Sequence, residues 1–233
     1  MSWTDQAAIE TIKKLRNEFK INTFIETGTF MGINSLVQSR NFKYVLTCDI
    51  NENYLSIAKE KLKDKKNIMI FKRRSPEFLK QFVKDYKENN LRDYVFIYLD
   101  AHFYNPNAKN KFVVTEELEA LRGFRKCIIA IHDFDNGMGH ITYDGKDLNF
   151  ELIKEGLKRI SGKFRFYTNT PKWADIHTEQ TLSQIGLEND KEAIDNIRYA
   201  WTSERLTKRG ILYAIPRELD LNKYRLIKYA PET

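Results

Sequence analysis

The apolar positions of this chain follow two rhythms. Over residues 4–19 they fall at Ala8, Ile9, Ile12, Leu15 and Phe19, a helical spacing opened by Thr4 and Asp5. Short unbroken apolar runs then take turns with helical segments. Strands are predicted over 23–26, 44–48, 68–72, 94–99, 127–131, 164–167 and 211–215, with 224–229 as one more candidate. Helices are predicted from the turn after the first strand to residue 39, and over 52–62, 76–89, 115–122 and 148–160, with Ser75 as a plausible N-cap of the third of these. The runs Val95–Leu99 and Cys127–Ile131 are apolar throughout and do not alternate, as expected of parallel strands buried on both faces. The expected fold class is therefore α/β: a doubly wound, mostly parallel, seven-stranded Rossmann-like sheet with helices on both faces.

No repeat or low-complexity linker divides the chain, so residues 1–233 are read as one domain with an N-terminal helix within 1–20. Residues 170–209 break the rhythm. They are polar, punctuated by Trp173, His177, Gly186 and Trp201, and read as an insertion before the last core strand, partly helical over 191–200 and a candidate cap over an acceptor pocket.

Composition changes this picture little. Hydrophobic residues make up 42% and aromatics 13%, enough for a packed core. The two cysteines, Cys48 and Cys127, sit inside apolar runs and read as core residues of a reducing compartment. With no leader-like start and no long apolar run, the expectation is a soluble, cytoplasmic protein. The net charge of +7 admits an acidic partner such as nucleic acid, but the lysines are scattered, with short clusters only at 61–66 and 72–74.

The chemistry gathers at strand ends, where open α/β sheets bind ligands. Those ends read Glu26, Asp49, Ser75, Asp100-Ala-His102 and His132-Asp133. Four of the five carry an acid, and an unpaired acid in a core costs several kcal/mol, so packing does not explain the set. Behind the first strand stands "FIETGTFMG", residues 24–32, with Gly28 and Gly32 four apart and Glu26 just ahead. A dinucleotide fingerprint would be Gly-x-Gly-x-x-Gly with a pyrophosphate at the helix start. Two like charges about 4 Å apart repel by roughly 4 kcal/mol at an effective dielectric near 20, so Glu26 makes a pyrophosphate a poor tenant. S-adenosylmethionine (SAM) has no phosphate and carries an ammonium and a sulfonium. The glycines allow close backbone approach, and the helix start at Asn34-Ser35 suits the methionine carboxylate. Asp49 can accept both ribose hydroxyls. Ser75 lies where it could reach the adenine.

"FIETGTFMG", "LTCDI", "IYLDAHF" and "IIAIHDF" resemble class I SAM-dependent methyltransferases, and among them the small-molecule O-methyltransferases of the catechol and macrolide-sugar type, over roughly residues 20–170 and the late strands. The usual first motif is acid-x-Gly-x-Gly-x-Gly, and Phe30 replaces its middle glycine. The resemblance implies that Glu26, Gly28 and Gly32 surround the methionine part, with Thr27 and Thr29 also at the cofactor, that Asp49 holds the ribose, and that Asp100 sits near the transferred methyl. In the metal-dependent members, acids after the fourth and fifth strands hold Mg²⁺. The matching positions are Asp100 and Asp133, with Asp135 or Asn136 as a third oxygen ligand. His102 or His132 could instead be the base that takes a hydroxyl proton, or a ligand that would favour another divalent ion over Mg²⁺.

The glycine-rich stretch 135–147 after the fifth strand reads as a loop over the site, with His140 and Tyr143 placed to touch substrate. The expected reaction is methyl transfer from SAM to a hydroxyl of a small molecule or sugar. A DNA or RNA methyltransferase is the alternative encouraged by the charge, but Asp100-Ala-His-Phe does not fit the Asp/Asn-Pro-Pro-Tyr/Phe pattern of amino-methylating DNA enzymes. A nucleotide-binding oxidoreductase is disfavoured by the glycine spacing, and a non-catalytic binding module by the acids and histidines.

Overall fold

The computed structural model describes residues 6–101, 112–136, 148–169, 191, 210–224 and 226–230. The chain runs α1 (Gln6–Glu18), β1 (Thr23–Thr27), α2 (Ile33–Gln38), β2 (Tyr44–Asp49), α3 (Glu52–Leu62), β3 (Ile68–Lys72), α4 (Ser75–Glu88), β4 (Val95–Leu99), α5 (Val113–Ala120), β5 (Cys127–Phe134), α6 (Phe150–Ile160), β6 (Arg165–Asn169), β7 (Gly210–Ile215), a 3-10 turn (Leu221–Lys223) and β8 (Leu226–Lys228).

Among the described residues the sheet has eight strands, in the order β3-β2-β1-β4-β5-β7-β6-β8. The first five pair in parallel. The pairings β5–β7, β6–β7 and β6–β8 are antiparallel. The expected seven-stranded sheet is thus corrected to a mixed eight-stranded one, because β7 enters reversed between β5 and β6 and the short C-terminal β8 adds an edge.

Alternation along the buried strands sends side chains to two separate cores. Val95, Ile97 and Leu99 of β4, with Cys127, Ile129 and Ile131 of β5, face α4, α5 and α6. Phe96, Tyr98, Ile128 and Ala130 face the side packed by Ile12 and Leu15 of α1 and by Ile211 and Tyr213 of β7. Both cysteines are buried free thiols within the first of these cores. No helix among the described residues is long and apolar enough to cross a membrane.

Two boundaries differ from expectation in ways that matter for the site. Ser75 is the first residue of α4, not its cap; Arg74 holds the N-cap position with no capping side-chain hydrogen bond, and Pro76 supplies the fixed φ of the first turn. The fifth strand does not stop before His132. It continues to Phe134 through an irregularity: Ile131 pairs with Leu212 and Phe134 with Gly210, so three steps along β5 face two along β7. That is a one-residue bulge. His102, His140, Tyr143, Trp173, His177 and Trp201 lie outside the described residues, as does almost all of 170–209.

Candidate functional site

The glycine turn between β1 and α2 is built on the carbonyl of Cys48, which accepts from the N–H of Gly28 at 2.9 Å and of Thr29 at 3.0 Å. Gly28 has φ +82°, and a Cβ there would stand 2.5 Å from the carbonyl oxygen of Asp100. The turn therefore lies directly on the end of β4, and only glycine fits. Gly32, at φ +74°, is the N-cap of α2, and its bare α-carbon lets α2 start against Leu62 and Ala58 of α3. Phe30 also has positive φ, +47°. A bulky residue in this region carries strain of order 1–3 kcal/mol.

Glu26 does not face out of the turn. It is buried, and its carboxylate accepts from Asn34 Nδ2 at 2.7 Å, Thr47 Oγ1 at 2.8 Å and Ser35 Oγ. Thr47 Oγ1 also meets Thr29 Oγ1 at 2.7 Å. Asn34 and Ser35, read as a carboxylate-binding helix start, thus turn their side chains inward to tie α2 to β1. Thr27 is likewise inward: its Oγ1 accepts from the Asp100 N–H at 3.2 Å. Burial pushes the Glu26 carboxyl up to about 7, against the lowering effect of its three hydrogen bonds and with some help from Asp100. The carboxyl thus keeps its proton to a higher pH than an exposed glutamate, and the repulsion expected of a fixed charge is softened.

Asp49 stands at the end of β2. Its two oxygens accept from the N–H of Phe30 and of Asn51, each at 2.9 Å. Each oxygen retains a second lone pair, and the side chain is half-buried at the rim. This is a fixed bidentate acceptor.

At the ends of β4 and β5, His132 Nδ1 lies 3.0 Å from Asp100 Oδ1 and 3.1 Å from Asp133 Oδ1. The bulge produces this meeting. Neighbouring residues of a regular strand point to opposite faces; Asp133 takes φ +55°, and both it and His132 reach the same point. His132 and Asp133 side chains are 7% accessible, Asp100 32%, so Asp100 is the member open to a ligand. The three groups form a close ion-pair triad, with Nδ1 shared between the two acids. Burial alone would pull the imidazole towards neutrality, but the two carboxylates override it and hold the ring well above the usual histidine range. Tyr98 packs beside the ring, centroids 5.7 Å apart.

Of the residues anticipated for a metal, Asp100 and Asp133 come together, and His132 joins them; their ligand atoms all lie within 4.8 Å of one another. Asn136 is anchored towards β6 instead, donating from Nδ2 to Thr168 Oγ1 at 3.3 Å and Asn169 Oδ1 at 3.2 Å. Ser75 is buried at the start of α4. Thr47 and Tyr54, absent from the sequence reading, belong to the site by contact: Thr47 bridges Glu26 and Thr29, and the Tyr54 ring packs against Phe30 with centroids 4.5 Å apart. No local pattern marks Thr47, whose partners are 18 and 21 residues away.

No protein family model and no curated protein matches the chain by sequence. Solved structures do match. The phosphoethanolamine N-methyltransferase 2 of Haemonchus contortus, bound to phosphomonomethylethanolamine and S-adenosylhomocysteine, aligns over 93% of this chain at 16% identity with a TM-score of 0.50. The chain spans about half the length of that enzyme, 54%. An O-methyltransferase from Bacillus cereus in complex with S-adenosylhomocysteine aligns over 91% of this chain and 82% of its own at 12% identity, TM-score 0.45. An rRNA methylase from Streptococcus thermophilus aligns over 94% and 99% at 10% identity, TM-score 0.47. Identities this low establish the fold alone: the chain has the Rossmann-like α/β fold of SAM-dependent methyltransferases.

Proposed function

We propose that the chain is a SAM-dependent methyltransferase that methylates a hydroxyl of a small molecule or sugar. The observation that carries this reading is the contact between the Gly28 turn and the Asp100 backbone, closer than a single Cβ would allow. It makes the cofactor side and the acid–histidine triad immediate neighbours, which methyl transfer between two bound molecules requires.

Bound at the turn, SAM would supply an electrophilic methyl to the acceptor oxygen, with S-adenosylhomocysteine as the leaving product and the hydroxyl proton passing to a base of the chain. The chain's own residues have defined tasks. Asp49 accepts the ribose hydroxyls. The first-turn N–H groups of α2 face the methionine carboxylate. Asp100 orients the acceptor, and His132, whose Nδ1 is held by the two acids, takes the hydroxyl proton on Nε2. His102, two residues beyond Asp100, is the second candidate base, and an intact alkaline activity limb in His132→Asn would transfer the role to it.

The donor chemistry of the triad supports a second reading. His132 Nδ1 lies about 3 Å from one oxygen of each acid, and the three ligand atoms lie within 4.8 Å of one another, a set of hard oxygen and imidazole donors that suits a divalent cation. Asp100, His132 and Asp133 would hold such a divalent cation, which would lower the pKa of a bound hydroxyl. Under this reading EDTA abolishes activity and added Mg²⁺ or Mn²⁺ restores it; activity indifferent to EDTA removes it.

The cofactor assignment is tested by thermal melts. S-adenosylhomocysteine at a hundredfold excess over its Kd is expected to raise Tm by on the order of 5–10 °C, and NAD is expected to leave it in place. No shift with either SAM or its product would remove the central reading.

A further inference from the structure

We infer that Phe30 and Tyr54 form an aromatic wall for the ribose–adenine half of the cofactor and help select for that nucleoside. This rests on the SAM reading above. Phe30 occupies a left-handed conformation that glycine adopts freely and phenylalanine resists. Such strain persists where the surroundings over-determine it, and here they do so at the ribose acid: the Phe30 N–H is bound to Asp49 Oδ2 at 2.9 Å.

The side chain is only partly covered in return. Phe30 remains 38% exposed and Tyr54 37%. Their rings meet edge to face, at 64° between planes. Two large rings held together at the surface, one on a strained backbone, are poorly explained by core packing and well explained by a ligand that covers them.

Both rings are also fixed relative to Asp49. Asn51 donates its N–H to Asp49 Oδ1, and its own Oδ1 accepts the N–H of Tyr54 at 3.2 Å. The acid, the capping asparagine and the two aromatics thus form one preorganised unit, and a nucleoside whose hydroxyls reach Asp49 lies beside the rings.

Calorimetric titration with S-adenosylhomocysteine, paired with thermal melts, tests this. Phe30→Gly keeps the N–H to Asp49 and relieves the left-handed strain, so its Tm should equal or exceed wild type while its Kd rises about tenfold. Tyr54→Ala, which lies off the turn, should weaken binding by a similar factor, and Tyr54→Phe should retain wild-type affinity. The double variant Phe30→Gly/Tyr54→Ala should bind little worse than either single variant, since each removes the same wall. Single variants that bind within twofold of wild type would overturn the inference while leaving the cofactor assignment standing. A wild-type chain that binds no S-adenosylhomocysteine would overturn both.

Discussion

Asp100→Asn is expected to lower methyl transfer by about 10² to 10⁴, the range a positioned acid–base pair supplies, with S-adenosylhomocysteine affinity nearly unchanged. Asparagine keeps the shape and removes the charge that faces His132 Nδ1 at 3.0 Å. The pH dependence makes the test specific. In wild type the base form of His132 appears only above the ordinary histidine range, because the acids hold its proton. Activity should therefore rise with pH along an alkaline limb. Loss of one carboxylate lowers the pKa of the ring, so in the variant the residual activity should rise at lower pH. A limb that stays in place would exclude His132 as the base. Lost cofactor binding would move Asp100 from the acceptor side to the cofactor side.

Glu26→Gln should change how stability depends on pH. The carboxyl is raised from 4.5 to about 7 in the fold, so the native state binds its proton more tightly than the unfolded chain. Its contribution is fully present below about pH 4.5 and is lost as pH rises through about 7. Above that, the buried ionised group costs roughly 3 kcal/mol relative to the protonated one. Glutamine cannot ionise, and the Ser35 and Thr47 hydroxyls can rotate to suit it. Relative to wild type the variant should gain stability progressively from pH 4.5 to 8, read by denaturant melts at several pH values. Identical pH slopes in the two proteins would mean that folding does not raise the Glu26 carboxyl.

Much of this architecture was legible in the chain. The segments 52–62 and 68–72 match α3 and β3 residue for residue, because amphipathic and apolar periods are local signals. The alternation of strand and helix gave the layered α/β plan, and two of the acids at strand ends, Asp100 and Asp133, meet at His132. What failed was decided by contacts distant in sequence. Glu26 reads as an outward charge until Ser35 and Thr47 are seen to enclose it. The reversed entry of β7 depends on pairing with β5 and β6, which no period encodes. Ser75 has the right residue type for a cap but lies one position inside the helix, where Pro76 stands as well suited to the first turn. The bulge at His132–Asp133 has no periodic signature, since one extra residue in an apolar run looks like a longer strand.

That bulge sets the sheet against the site. Removing one residue between Ile131 and Phe134 would restore even pairing with β7 and relieve the left-handed Asp133, giving a more regular ladder. The two residues that stand there are His132 and Asp133, so the deletion would also take one member out of the triad. At this point the chain cannot have both its most regular sheet and its triad, so sequence drift that favoured stability alone would erase the chemistry before it disturbed the fold.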